Sequence, residues 1–397
     1  MSYVKENIND CCGCGLCKEA CPVDAIKMDF NDNGFYVPVI DDKKCIQCNR
    51  CRTVCIFNQD HIFNKPIETY AAIRKNKKKL MNSSSGGVFA AIAEKVLIEG
   101  GYICGAIIED DFNVKHIVSN KDSDLQKMLG SKYVQSDISE IFRPIKELLN
   151  NNEIVLFSGT PCQVDAIKQY TSNPDNLFTI EIICHGVTPI ESYKLYMKHL
   201  MIKNKLEEQD ISEFKFRDKR QGWSFNNSIK LKNGKDIRIN HRLSSYMTFY
   251  LQGSLYRDSC FVCPYAKDER NADLTIGDYW GVVRKEKDLS EINIDEGVSC
   301  CLLNSDKGKK LIKDTDLILY KVDYKHIKEG NGPLNEPSVK PNNRDELMRW
   351  WKIAFKNNEW DVLENYFKNN YLKFSYYIWA YLPSSIRHLI RVALKIR

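Results

Sequence analysis

Apolar and polar positions along this chain follow two alternating rhythms. The run ETYAAIR (68–74) is short, apolar in the middle and charged at both ends, which predicts a strand. GVFAAIAEKVLIEGG (87–101) keeps apolar residues at helical spacing and closes on glycine, which predicts a helix. YICGAIIED and NVKHIVSN read as a strand pair, followed by a helix at about 138–149. Next come IVLF, a helix near 163–170, and FTIEIIC. Farther on, SIKLKNGKDIRI is two strands about an Asn-Gly turn, and ADLTIGDYW is another strand. Alternation of this kind predicts a mixed-sheet α/β body.

Cysteines change the picture at the N-terminus. Of the sixteen in 397 residues, nine lie within 11–55, five are spread over 104–263, and two are adjacent at 300 and 301. The polar start MSYVKENIND lacks the apolar run of a secretion signal, so reduced thiols and a cytoplasmic location are expected rather than a disulfide framework. Cys11, Cys14, Cys17 and Cys21-Pro22 form one C-x2-C-x2-C-x3-C run, and Cys45, Cys48, Cys51 and Cys55 form a second. This spacing holds two 4Fe–4S clusters, each fourth cysteine serving the other cluster. Cys11, Cys14, Cys17 and Cys55 are thus expected on one cluster, and Cys45, Cys48, Cys51 and Cys21 on the other. Ile56 stands where the first run has Pro22, which leaves the ligands intact. Cys12 falls outside the spacing and is read as a bystander.

The remaining cysteines pose a separate question. IVLF, a helix and FTIEIIC predict a β-α-β unit with parallel strands. Cys162 would follow the first strand and Cys184 end the second, so neighbouring strands bring both to one sheet edge. Cys260-x2-Cys263-Pro264 supplies a second pair. The four are expected to form one metal site, which by spacing suits either a third 4Fe–4S cluster or zinc. Cys104, inside a strand pattern, is expected in the core, and the pair Cys300-Cys301 receives no role.

Asn82-Ser-Ser-Ser-Gly-Gly87 lies between a strand and a helix, where free N–H groups and small residues can cradle a phosphate or cap a helix. Gly130-Ser131-Lys132-Tyr133 would add a cation and an aromatic face. The lysines at 75 and 77–79 are expected to be a solvated face.

The segments SSSGGVFAAIA, GSKYVQSD, LFSGTPCQV, IICHGVTP, FRDKRQGW, CPYA and ADLTIGDYWG together resemble the β-subunit family of coenzyme F420-reducing hydrogenases and dehydrogenases, over roughly residues 68–281. The resemblance implies an FAD-binding fold with a 4Fe–4S cluster near the flavin, on Cys162, Cys184, Cys260 and Cys263. It implies flavin contacts near Ser84, Ser85, Gly86, Gly87, Ser131, Lys132, Gly159 and Thr160. An N-terminal two-cluster ferredoxin domain recurs among relatives, some encoded beside surface-polysaccharide genes.

The expected class is therefore α+β. A two-cluster ferredoxin-like domain (1–62) precedes a mixed-sheet domain binding FAD and 4Fe–4S (63–304) and a largely helical extension (305–397). The net charge of +6 is too mild to argue for nucleic acid. No stretch approaches the roughly 20 apolar residues that span a bilayer. The basic helix SIRHLIRVALKIR at the C-terminus is read as docking on its own domain, with peripheral membrane contact as the alternative. The favoured function is an iron–sulfur flavoprotein oxidoreductase exchanging electrons among FAD, 4Fe–4S clusters and a ferredoxin-like, deazaflavin or nicotinamide carrier, or an organic substrate. An electron-relay subunit without catalysis, or a zinc and thiol module in surface-polysaccharide synthesis, are the alternatives. No catalytic acid or base is named; His185 is noted as a proton donor or a structural residue.

Overall fold

The computed structural model describes residues 4, 7–59, 63–282, 286, 289, 292–382 and 386. The N-terminal part holds two one-turn helices, Leu16–Glu19 and Arg50–Thr53, and the antiparallel hairpin of β1 (Ile26–Phe30) and β2 (Tyr36–Ile40). Each short helix follows a left-handed residue, Gly15 in the first run and Asn49 in the second. Cys17 and Cys51 occupy equivalent positions on these helices, so the cysteine repeat in the sequence is also a backbone repeat.

The body is built on β3 (Glu68–Arg74), β4 (Tyr102–Ile108), β5 (Val114–Ser119), β6 (Val155–Gly159) and β7 (Leu177–Ile182). A small antiparallel sheet of β8 (Ile211–Lys215), β9 (Asn227–Leu231) and β10 (Asp236–Ile239) follows. Then β11 (Leu274–Asp278), β12 (Ser299–Leu303) and β13 (Leu317–Lys321) return to the main sheet, whose order is β13-β3-β12-β11-β7-β6-β4-β5. β4, β6, β7 and β11 run parallel, and the antiparallel pairs through β12 give β3 the same direction. The C-terminal ends of these five strands therefore share one rim, the side on which α/β sheets hold their ligands.

Alternation along the strands fills both faces of this sheet. Ala72, Ile103, Leu156 and Cys301 pack under the helices Val88–Ile98 and Asp122–Met128. On the other face, Cys104, Val155 and Phe157 meet the helices Phe142–Asn150 and Pro161–Thr171. Cys300 joins a further cluster with Ala71, Ile73 and Tyr279. Consecutive strand residues point to opposite sides, so Cys300 and Cys301 enter different cores and cannot share a ligand.

The third layer joins helix Ile190–Asn204, the small sheet, helix Ser245–Leu251 and the C-terminal helices Arg344–Asn357 and Asp361–Asn370 around Tyr193, Tyr246, Trp351 and Trp360. β13, which completes the main sheet, comes from the segment beyond residue 305. Trp351 donates from its indole nitrogen to the Asn33 carbonyl at 2.9 Å, so this segment also touches the ferredoxin-like hairpin. FSYYIWAY forms the helix Phe374–Tyr381. The basic stretch after it lies outside the described residues. Among the described residues, no helix is long and apolar enough to cross a membrane.

Candidate functional site

The parallel pair β6 and β7 aligns Gly159 with Glu181. Cys162 and Cys184 each lie three residues farther on, so matched strands deliver both sulfurs to the rim. Thr160 caps the helix after β6: its side chain accepts from the Gln163 amide, and the Gln163 side chain accepts from the Thr160 N–H at 3.0 Å. The Thr160 hydroxyl also lies 3.2 Å from the Cys162 sulfur. The second pair arrives on the short turn Asp258–Val262. The N–H of Arg257 donates to the Val187 carbonyl and that of Cys260 to the Arg257 carbonyl, both at 3.0 Å. This ties the turn to the segment after Cys184. Gly186 makes the approach possible: at φ +146°, a Cβ there would sit 2.4 Å from the Tyr256 ring.

Cys162, Cys184, Cys260 and Cys263 line one cavity of about 610 Å³. Among the described residues, no three His, Cys, Asp or Glu side chains are gathered as a single metal ion requires. The thiols surround a volume instead of meeting at a point. Burial pushes all four up, and for Cys184 the mutual repulsion with Cys260, Cys162 and Cys263 adds to it. For Cys162 the leading cause is its hydrogen bond to Cys12, which also lines the cavity. The cavity wall is polar where it is deepest. Arg270 pairs with the fully buried Glu181, and Arg270 also donates to the carbonyls of Tyr265 and Lys267. A second cavity, of about 300 Å³, shares His185, Pro333 and Ser338 with the first. The Ser338 hydroxyl donates to the His185 carbonyl at 2.6 Å, holding the 332–339 segment over this junction.

The N-terminal thiols gather as the spacing predicts. Burial, then the charges of Cys11 and Cys55, push Cys17 up, while Cys51 feels Cys48 and Cys45. The Gly13 N–H donates to the Cys11 sulfur at 3.3 Å and the Ala25 N–H to the Cys21 sulfur at 3.2 Å. The Cys45–Cys55 loop faces outward, with Cys48 exposed.

The loop of Ser84, Ser85, Gly86 and Gly87 reaches the same rim from β3. Gly86 is required by packing, since a Cβ would fall 2.0 Å from the Ala72 carbonyl oxygen. Its N–H donates to the Ser299 hydroxyl at 2.9 Å, and the Ser85 hydroxyl donates to the Val298 carbonyl at 2.9 Å. The Ser131 N–H donates to the Ser84 hydroxyl at 2.7 Å, joining the two small-residue loops. Lys132 is engaged elsewhere. Its ammonium donates to the carbonyls of Lys127, Met128 and Leu129, and burial draws its pKa down to about 7. It shapes the loop from the end of a helix.

Beside these loops stands a constellation that residue patterning alone did not single out. Arg217 is 5% exposed and donates from Nη1 to the Tyr133 hydroxyl and to Asp278 Oδ2, both at 2.8 Å. Its Nη2 is buried without a partner. The guanidinium lies 4.6 Å from the Phe225 ring centre, and Trp223 stacks on Trp280 at 4.6 Å and 13°. Trp223 Nε1 donates to Asp278 Oδ1 at 3.1 Å. Lys219, two residues on, donates to the Ser85 carbonyl at 2.9 Å. The segments FRDKRQGW, GSKY and GDYW converge here. Their clustering as motif segments was the signal; their contacts were not readable from spacing.

Eight cysteines in tandem runs joined to a sheet with a thiol-lined rim define an iron–sulfur redox protein. Residues 10–58 match the 4Fe-4S dicluster domain, and residues 152–319 match the C terminus of the coenzyme F420 hydrogenase/dehydrogenase beta subunit. The chain thus belongs to that beta-subunit family, with a dicluster ferredoxin domain fused at its N-terminus. No curated protein matches the chain. Among solved structures, it is similar to a chain of the F420-reducing [NiFe] hydrogenase complex from Methanosarcina barkeri. That likeness has 17% identity and a TM-score of 0.45, and covers 80% of this chain and 99% of that one.

Proposed function

We propose that the protein is an iron–sulfur flavoprotein oxidoreductase with three 4Fe–4S clusters and FAD. In this reading Cys11, Cys14, Cys17 and Cys55 hold one N-terminal cluster, and Cys45, Cys48, Cys51 and Cys21 the other. Cys162, Cys184, Cys260 and Cys263 hold the third, between a flavin domain (63–304) and the ferredoxin domain (1–62). The observation that carries the proposal is the single cavity walled by those last four thiols.

Two unsatisfied groups fit a flavin beside them. Arg217 Nη2 and the Ser83 hydroxyl are both buried without partners, on the Arg217 constellation and the serine loop respectively. A planar ring with carbonyl acceptors would satisfy the arginine and lie against Trp223 or Trp280. The N–H groups opening helix Val88–Ile98 suit a pyrophosphate. Bound there, a flavin supplies the exchange between two-electron hydride chemistry and single electrons. Asp278 orients Arg217 and Trp223, and the packed rim excludes water. His185 lies where the two cavities meet, and burial lowers its pKa against the opposing pull of Asp278. It is the group positioned to exchange a proton with a substrate in the second cavity.

The exposed second run supports a carrier partner. Lys43, Lys44, Arg50 and Arg52 surround it, partly offset by Asp41 and Asp42. An acidic ferredoxin-like protein fits this face, whereas a deazaflavin, nicotinamide or organic substrate fits the rim.

Anaerobic purification of the full chain tests the reading. The expected content is about 12 iron and 12 sulfide per chain, at four of each per cluster, with FAD released on heating. The visible spectrum is expected to bleach with a hydride donor in wild type and not in Arg217→Ala. A colourless zinc protein overturns the proposal. Full cofactor content with bleaching by reduced ferredoxin alone favours the electron-relay reading.

A further inference from the structure

Cys12 belongs to neither ferredoxin run, yet it stands between two sets of thiols. It is hydrogen-bonded to Cys14 on one side and to Cys162 on the other. It also lines the cavity of the four core cysteines. One side chain therefore touches a proposed ligand of the first N-terminal cluster and a proposed ligand of the core site.

The backbone around it is fixed with equal care. Arg257, 3% exposed, donates from Nε to the Cys11 carbonyl, from Nη1 to Gln135 Oε1 at 2.9 Å and from Nη2 to the Tyr36 carbonyl at 2.6 Å. Gln135 in turn donates to the Cys12 carbonyl at 3.1 Å. All four acceptors are neutral. Among the described ion pairs, none joins Arg257 to a carboxylate. A buried cation without a counter-charge is strongly disfavoured, and Arg257 also lines the thiol cavity. The anionic charge that would balance it is that of thiolate-ligated clusters on either side.

We propose that the Cys11–Cys12 segment, clamped by Arg257 and Gln135, is the electron junction between the ferredoxin domain and the core site. Cys12 acts as a positioning residue that bridges the two ligand shells, and Arg257 is their shared counter-cation. This rests on the assignment of a third cluster to Cys162, Cys184, Cys260 and Cys263. In the step, one electron moves between the cluster on Cys11, Cys14 and Cys17 and the cluster in the core. The first is oxidised as the second is reduced, no bond forms or breaks, and no proton is transferred. A cation stabilises the more negative reduced state of both, so Arg257 raises both potentials.

The test uses the anaerobic full-length protein as wild type, Cys12→Ala, Arg257→Lys and Arg257→Gln. Iron content, potentials by spectroscopic titration, spin coupling in the reduced state and electron equilibration after flash photoreduction are measured. Iron is expected to stay at about 12 per chain in all four, by four per cluster. Wild type should show broadened, spin-coupled signals. Cys12→Ala should slow equilibration several-fold while leaving potentials in place. Arg257→Gln should lower the potentials of two clusters, and Arg257→Lys should restore most of that shift. Full iron with unchanged rates in Cys12→Ala and unchanged potentials in Arg257→Gln overturns the junction and leaves the third cluster standing. About 8 iron in wild type, by the same count, overturns the third cluster and the junction together.

Discussion

At the residue scale, backbone sign separates the two cysteine runs. Gly13 and Gly15 take φ +70° and +79°, whereas the equivalent Gln47 and Asn49 take +55° and +57°. Only the first run needs glycine for space. A Cβ at Gly13 would sit 2.7 Å from the Tyr36 carbonyl oxygen and 2.8 Å from both Arg257 Nη1 and Gln135 Nε2. Gly13→Ala should destabilise the protein by about 1–3 kcal/mol in denaturant titration, and Gln47→Gly, which relieves the strain at an exposed position, by none. His116 makes a second prediction. Its Nε2 meets the Ser158 carbonyl at 2.9 Å, its Nδ1 is buried and unpartnered, and burial lowers its pKa from 6.5 to about 4. The unfolded chain binds the extra proton between those values, so stability rises with pH across this window and is lost as pH falls through it. The loss should reach up to about 3 kcal/mol, and His116→Gln should flatten that part of the curve.

At the element scale, the β6-helix-β7 unit carries most of what patterning could reveal. Parallel neighbours with cysteines just past their ends follow from the apolar runs and the Gly-Thr-Pro turn. The hairpin of β9 and β10, and the tandem cysteine loops, were equally legible because turn residues and ligand spacing are local. The contacts that make the site were not. Arg217, Asp278, Trp223 and Tyr133 come from separate segments, and only the sheet order brings them together. Cys12 was misjudged as a bystander by spacing, since what places it is Arg257, 245 positions later in the sequence and invisible to any local pattern. The helix after β6 makes a direct test. Thr160→Ala removes one half of a capping box and should cost about 1 kcal/mol. Glu181→Ala leaves Arg270 buried without its partner beside the thiols, and should cost about 3–5 kcal/mol. Thermal melts of the reduced protein compare the two.

At the scale of the whole molecule, the ferredoxin domain forms part of the wall of the core cavity through Cys12 and Phe57. Deleting residues 1–59 should therefore open the core site, and iron remaining there should be lost to a chelator faster than from the full chain. The outward face predicts a salt effect. If Lys43, Lys44, Arg50 and Arg52 steer an acidic carrier, electron exchange with it should slow as ionic strength rises past about 0.1 M, where the screening length is about 10 Å. Lys44→Glu should slow it further at low salt. Stopped-flow measurement against a reduced ferredoxin reads both.

The order of the main sheet has a consequence for how the molecule is made. β3 is among the first strands to leave the ribosome, yet both of its neighbours, β12 and β13, come from residues 299–303 and 317–321. During most of translation both its edges are bare, inviting association with other chains. The ferredoxin loops can acquire metal early, while the rim cannot close until the last strands dock. Biogenesis of this protein thus calls for a chaperone that shields an early strand, and for metal delivery in two stages separated by some two hundred residues of synthesis.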